Sequence, residues 1–278
     1  MSHLHCAAYR LPLDRPLVMG IVNLTPDSFT GDGLAGGGDV VARAIDHARA
    51  QWEAGADILD LGAESTRPGA IATPLQEELD RLLPVLEAIA GWGVPVSIDT
   101  YKPEVMRAAI AAGAAMINDI CGLTRPGALE AVAASDVGVC LMHMQGEPGT
   151  MQVAPHYQDV AAEVTGFLAE RVGACRAAGI ADARIVLDPG FGFGKTLEHN
   201  LALLRDLPAT SPEGLPILAG MSRKTMIGQI TGRPVAERLP GSLAAALLAA
   251  DGGAKIIRVH DVAATRDVLS VWQAVRQQ

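Results

Sequence analysis

Aromatic residues are scarce in this 278-residue chain, at 4% against 49% hydrophobic residues overall, so its core must be aliphatic. Long apolar runs are missing. The longest, over residues 243–250, is eight residues, against the ~20 needed to cross a bilayer. The opening MSHLHCAAYR has no basic start followed by an apolar stretch, so no secretory signal is expected. The four cysteines (Cys6, Cys121, Cys140, Cys175) are separated by 115, 19 and 35 positions, which matches no zinc or redox spacing. Cys175 shares an apolar helix face with Val160, Val164 and Phe167, and a reducing cytoplasm fits. Positive charge is also short: 22 Lys and Arg against 31 Asp and Glu give −9. That argues against nucleic-acid or anionic-membrane partners, so an anionic ligand would need a local positive cluster. No low-complexity block occurs, and the apolar content excludes disorder.

What the chain does have is alternation. Short aliphatic or β-branched runs occur at 18–22, 57–61, 94–98, 115–117, 137–141, 184–187, 216–219 and 255–259. Helical periodicity lies between them, as in Val41, Ile45, Ala48 and Trp52, or Leu79, Leu83, Leu86 and Ile89. The pattern Thr73, Pro74, Gln76 predicts a capping box, and Pro84 a kink in the helix that follows. Gly55, Gly113, Gly179 and Gly253 each stand where a helix ends just before a strand, as left-handed caps of tight αβ loops. No Asn-Gly hairpin signal is present, and His3 and His5 read as a disordered end. Eight βα units imply an α/β fold of the (β/α)8 TIM-barrel type, one domain over 1–278 with the barrel proper at about 17–275. A doubly wound open sheet is the alternative; the first strand lacks its glycine turn.

Active sites of such barrels lie at the C-terminal strand ends. There the chain places Asn23; Glu64 to Arg67; Asp99; Asn118 and Asp119; His143; Asp188; Ser222, Arg223 and Lys224; Arg258 and His260. Each alone could be a cap or turn residue, Asp99 and Asp119 included. Together they sort into two chemistries. Arg67, Lys224, Arg258 and His260 are donors suited to phosphate or carboxylate, whereas Asp99, Asn118 and Asp188 suit the N–H edge of a planar heterocycle. Asn23 with Thr25 offers oxygen to Mg²⁺ shared with a phosphate group. The segment 190–196, GFGFGKT, fails both the P-loop and the dinucleotide pattern and reads as a flexible loop that lets Phe193 approach a flat ligand. His47 and His156 read as surface or core residues.

Several segments carry a resemblance: VMGIVNLTPDSF (18–29), DLGAESTRPGA (60–70), SIDTYKPEV (97–105), INDI (117–120), CLMHMQGEPGTMQ (140–152), LDPGFGFGKT (187–196), GMSRKTMIG (220–228) and IIRVHDV (256–262). In order and content they resemble the dihydropteroate synthase family. The resemblance implies a usually homodimeric barrel of folate synthesis, a target of sulfonamides. It joins 6-hydroxymethyl-7,8-dihydropterin diphosphate to p-aminobenzoate and releases diphosphate. It also implies that Asn23 binds Mg²⁺ and that Asn23, Thr66, Arg258 and His260 hold the diphosphate. Asp99, Asn118, Asp188 and Lys224 would bind the pterin, with Met142 and Phe193 shaping its slot. Arg67, Pro68, Thr225 and Phe193 would face p-aminobenzoate, and Asp99, Lys224 and Arg67 would carry the catalysis. The first loop departs from the family pattern, reading Ser28-Phe29-Thr30-Gly31-Asp32-Gly33. The alternatives are a pterin-binding methyltransferase barrel and a non-catalytic pterin-binding paralogue.

Overall fold

The computed structural model describes residues 2–25, 37–65 and 72–276. Two short strands, β1 (His3–Cys6) and β2 (Tyr9–Pro12), form an antiparallel hairpin. The barrel strands follow: β3 (Leu17–Asn23), β4 (Ile58–Gly62), β5 (Val96–Asp99), β6 (Met116–Asp119), β7 (Gly138–Met142), β8 (Ile185–Asp188), β9 (Leu218–Ala219) and β10 (Ile256–Val259). All neighbours are parallel, in the order β8-β7-β6-β5-β4-β3-β10-β9, and a parallel bridge from Leu187 to Ile217 joins the two ends. The eight predicted strands are thus all present, and the (β/α)8 barrel replaces the open-sheet alternative.

The helices are α1 (Gly37–Glu53), α2 (Leu75–Ile89), α3 (Pro103–Ala111), α4 (Ala128–Ala133), α5 (Val160–Ala177), α6 (Leu197–Arg205), α7 (Thr225–Thr231), α8 (Leu239–Asp251) and α9 (Val262–Arg276). The αβ glycines behave as expected: Gly55, Gly113, Gly179 and Gly253 have φ of +96°, +101°, +84° and +95°, a region L-residues avoid. The capping box at Thr73 does not form. Pro74 occupies the cap position without a side-chain bond, and the Thr73 N–H instead donates to Glu64 Oε1 at 2.8 Å. Helix α2 continues through Pro84, and its buried stripe is Leu82, Val85, Leu86 and Ile89.

The hairpin corrects the expectation of a disordered start. Its turn carries Ala7 at φ +52° rather than glycine or asparagine, so no turn motif announced it. Period-2 alternation points Leu4 and Cys6 inward, where they close the floor of the barrel against Leu17, Met19, Ile58, Met116, Cys140, Val186, Leu218 and Ile256. The seat is tight: a Cβ on Gly138 would lie 2.6 Å from Cys6 Sγ. The four cysteines are free and buried, Cys175 among the apolar residues of α5. Among the described residues no helix is long and apolar enough to cross a membrane.

Candidate active site

Strand parity builds the site. The residues of the apolar floor point into the barrel, so those two positions further along point inward as well. From Ile58, Met116, Val186 and Ile256 that step leads to Asp60, Asn118, Asp188 and Arg258, and from Cys140 to Met142. On β5, Ser97 and Asp99 share this face. On β4, β6, β8 and β10 the aliphatic floor therefore gives way to polar wall within two residues, while β7 stays apolar at Met142. Above it opens a cavity of about 1460 Å³, lined among others by Asn23, Asp99, Asn118, Met142, Asp188, Phe193, Lys224, Thr225, Arg258 and His260. The structure thus brings together the predicted residues it describes, while Thr66, Arg67 and Pro68 lie outside the described residues, as do residues 31–36 of the glycine-rich first loop. His47 also lines the cavity.

Arg258 is the hub of the inner wall. Its Nε donates to Asp60 Oδ2 at 2.6 Å and its Nη2 to Asp99 Oδ2 at 2.7 Å. Asn118 Nδ2 donates to the same Asp60 oxygen at 3.2 Å. Asp60 is fully buried, and the Oδ1 atoms of Asp60 and Asp99 have no hydrogen-bond partner among the described residues. Burial pushes the Asp99 carboxyl up to about 7, against the opposing pull of Arg258. Burial also raises Asp188, whose Oδ1 accepts the Gly190 N–H at 2.7 Å. Lys224 is lowered by burial to about 8; its Nζ donates to the Phe191 carbonyl at 2.6 Å and stands 4.6 Å above the centre of the Phe193 ring. Three carboxylates thus face two cations, leaving acceptor capacity for a ligand rich in N–H groups.

Asn23 and His260 stand further round the wall. Ser222 Oγ accepts the His260 N–H at 3.2 Å and lies 3.0 Å from His260 Nδ1, which fixes the ring. Burial first, then the nearby Arg258 and Arg223, pushes His260 down to about 4. A neutral His260 remains a hydrogen-bond donor through its ring N–H. The Asn23 side chain makes no hydrogen bond to the described residues, and no group of three His, Cys, Asp or Glu able to hold a metal exists among them. One neutral oxygen beside an open cavity fits Mg²⁺ held mostly by water and a bound phosphate group. Thr225 opens α7 and is exposed at the cavity mouth.

Other strand-end residues turn out to be braces. Asp119 accepts the Cys121 and Leu123 N–H groups at 2.7 and 2.8 Å and so shapes its own turn. Glu64 accepts from Tyr101 Oη at 2.9 Å and from Lys102 Nζ at 2.5 Å, and the same ammonium reaches Glu78. Arg223 pairs with Asp261 through Nε at 2.9 Å. The 190–196 loop is fastened rather than flexible, since buried Lys195 bonds back to the Gly190 and Phe193 carbonyls at 2.9 and 3.0 Å. Asp60 escaped the sequence reading, which looked only at strand ends. Its signal was a carboxylate inside the otherwise apolar strand Ile58-Leu59-Asp60-Leu61.

Comparison with known proteins agrees with this geometry. The pterin binding enzyme family matches residues 19–260. The dihydropteroate synthase of Escherichia coli is 53% identical over 265 residues, covering 95% of this chain and 93% of that one. A crystal structure of Burkholderia cenocepacia dihydropteroate synthase complexed with 7,8-dihydropteroate superposes with a TM-score of 0.90 at 53% identity, over 99% of this chain and 96% of that one. The Xanthomonas albilineans enzyme with 4-aminobenzoic acid gives 0.93 at 54% identity, over 100% and 99%. With the family's motifs in order along the barrel, and relatives this similar over nearly its whole length, the chain belongs to the dihydropteroate synthase family of pterin binding enzymes.

Proposed function

We infer that this chain is a transferase of folate biosynthesis that condenses 6-hydroxymethyl-7,8-dihydropterin diphosphate with p-aminobenzoate, giving 7,8-dihydropteroate and diphosphate. The observation that carries the assignment of roles is the polar wall one step above the apolar floor. Asp188 and Asn118 offer an acceptor pair and an amide to the N–H edge of an aminopyrimidine ring, and two parallel N–H···O bonds to a carboxylate fix such a ring in plane. Met142 and the Phe193 ring bound its faces. Lys224, held over Phe193, donates to the ring's oxygen edge. Arg258 and His260 face the diphosphate with Asn23, and Thr66 joins them by family resemblance. Asn23 would hold Mg²⁺, which when bound neutralises charge on the departing diphosphate.

The bond broken joins the pterin methylene to a diphosphate oxygen. That oxygen leaves with the electron pair, and the arylamine nitrogen supplies the new one before losing a proton. The arylamine is neutral near pH 7, so no Ser/His/Asp or Cys/His nucleophile set is required. Asp99 lies where positive charge on the dihydropterin would develop and stabilises it electrostatically, which favours a dissociative substitution. Arg67, Pro68, Thr225 and Phe193 then frame p-aminobenzoate near the mouth. The enzyme is proposed to work in the cytoplasm as a homodimer. Exposed Leu248 on α8, with Val271 and Val275 on α9, at 58%, 68% and 70% exposure, supports association of two copies. The test is direct: purified protein with both substrates and Mg²⁺ should release diphosphate and form dihydropteroate. Pterin binding without turnover would instead favour the non-catalytic paralogue.

A further inference from the structure

Two residues of the family motifs have no part in the chemistry above, His143 after β7 and Lys195 after β8. Lys195 is 4% exposed, and burial lowers it to about 7. In its protonated form the ammonium has an acceptor for each of its three hydrogens: the Gly190 carbonyl at 2.9 Å, the Phe193 carbonyl at 3.0 Å and His143 Nδ1 at 3.0 Å. Burial, then the neighbouring ammonium, pushes His143 down to about 3, so its imidazole is neutral and Nδ1 is free to accept. The ring is set by an edge contact to Phe167, with centroids 5.1 Å apart.

What this ammonium organises is a turn with one backbone bond of its own, Phe193 N–H to the Gly190 carbonyl at 3.1 Å, and outer anchors from Asn200 to the Gly192 N–H and from Tyr157 to the Gly194 carbonyl. Gly190, Gly192 and Gly194 have φ of +72°, +80° and +61°. A Cβ at Gly190 would come 1.8 Å from the His143 carbonyl oxygen. Such a run of left-handed glycines has high chain entropy, and internal bonds must offset it. The turn also supplies most of the pterin end: the Gly190 N–H meets Asp188, the Phe191 carbonyl meets Lys224, and the Phe193 ring lies under the Lys224 ammonium. Of these groups only Phe193 also reaches the p-aminobenzoate end at Thr225.

We propose that Lys195 is a positioning residue for the pterin end of the pocket, its buried ammonium, braced by His143, holding the 190–194 turn so that Asp188, Lys224 and Phe193 are presented together to the ring. The proposal rests on the reading of the inner wall as the pterin site. It acts through those three residues and not through contact with substrate. Its mark is therefore asymmetric: the pterin end meets the turn through Asp188, Lys224 and Phe193, the p-aminobenzoate end through Phe193 alone.

Lys195→Met keeps most of the stem and removes the ammonium. It should raise KM for the pterin diphosphate about tenfold and weaken calorimetric binding of 6-hydroxymethylpterin by the same factor, with a rise of only about twofold in KM for p-aminobenzoate, which meets the turn through Phe193 alone. In Lys195→Ala, added n-propylammonium should restore pterin affinity and n-propanol should not. If the lysine variants fail to fold, His143→Phe keeps the ring packing and removes one acceptor; it should show the same asymmetry at about threefold. Equal rises in both KM values, unchanged pterin affinity in folded Lys195→Met, or rescue by propanol as well as propylammonium would each overturn the proposal. Wild-type protein that neither binds 6-hydroxymethylpterin nor turns over would instead overturn the reading of the inner wall.

Discussion

Arg258→Met tests what the guanidinium does for buried charge, apart from its proposed part in binding diphosphate. In the wild type one guanidinium serves two carboxylates, at 2.6 Å to Asp60 and 2.7 Å to Asp99. Removing it leaves both carboxylates inside the barrel with their cation gone. Breaking a buried ion pair by deleting one partner costs about 3–5 kcal/mol, most of it the uncompensated charge left behind. For a chain of this size that is a fall in Tm of roughly 10 °C. The pH dependence gives the cause. The Asp99 carboxyl sits at about 7 in the folded protein against an ordinary 3.8, because burial outweighs the pull of Arg258. An acid raised in this way binds its proton more tightly folded than unfolded. It favours folding below 3.8, and that contribution is lost as pH rises through about 7. Without Arg258 the carboxyl moves higher still, so the gap between variant and wild type should widen from about pH 5 to about pH 8. Urea unfolding at the two pH values measures it. Adding Asp60→Asn removes one of the stranded charges, so the double variant should be more stable than Arg258→Met alone. A gap that does not change with pH, or a double variant that simply adds two losses, would refute the charge argument.

Asp188→Asn turns an acceptor-only group into one whose NH₂ meets the ring's own donors. Its pterin affinity should fall about 10- to 100-fold in calorimetry while the thermal transition stays within a few degrees of wild type. Binding should be ordered: p-aminobenzoate titrated into the protein should bind measurably tighter with Mg²⁺ and diphosphate present, and equal affinity in the two titrations would exclude ordering. Leu4→Ala empties a fully buried position in the barrel floor. It should cost about 2–5 kcal/mol in denaturant unfolding and leave KM values unchanged, since the site lies on the other side of the floor.

The barrel was legible because its signals are local and repeated. Each of the four αβ glycines marks a chain reversal that only a positive φ can make, and each buried strand is a short aliphatic run. The hairpin was not legible, because Ala7 and Ala8 carry no turn chemistry and its inward Leu4 and Cys6 make sense only once the barrel floor exists to receive them. Thr73 had a helix-cap spacing, but the Glu64 carboxylate took its N–H, a competition between residues nine positions apart that local pattern cannot see. The candidate site was read from strand ends, which found Asn23, Asp99, Asn118, Asp188, Arg258 and His260. It overlooked Asp60, whose role depends on inward parity and on a partner 198 positions away. Lys195 carried a phosphate-loop appearance, and its inward rotation follows from the carbonyls around it rather than from its motif.

The hairpin floor also governs traffic. Among the described residues, Leu4, Cys6 and Leu13 stop one end of the barrel, so the chamber opens at the other. Whatever occupies the polar wall just above that floor must enter before, and depart after, anything bound near Thr225 at the entrance. For the proposed substrates this makes the sequence of arrivals a matter of depth: a molecule of p-aminobenzoate that came first would stand in the doorway of an empty room. On the way out the joined product spans both zones and withdraws as one piece, and diphosphate has to share the same exit. Clearance of that open end is then a natural place for the turnover rate to be set.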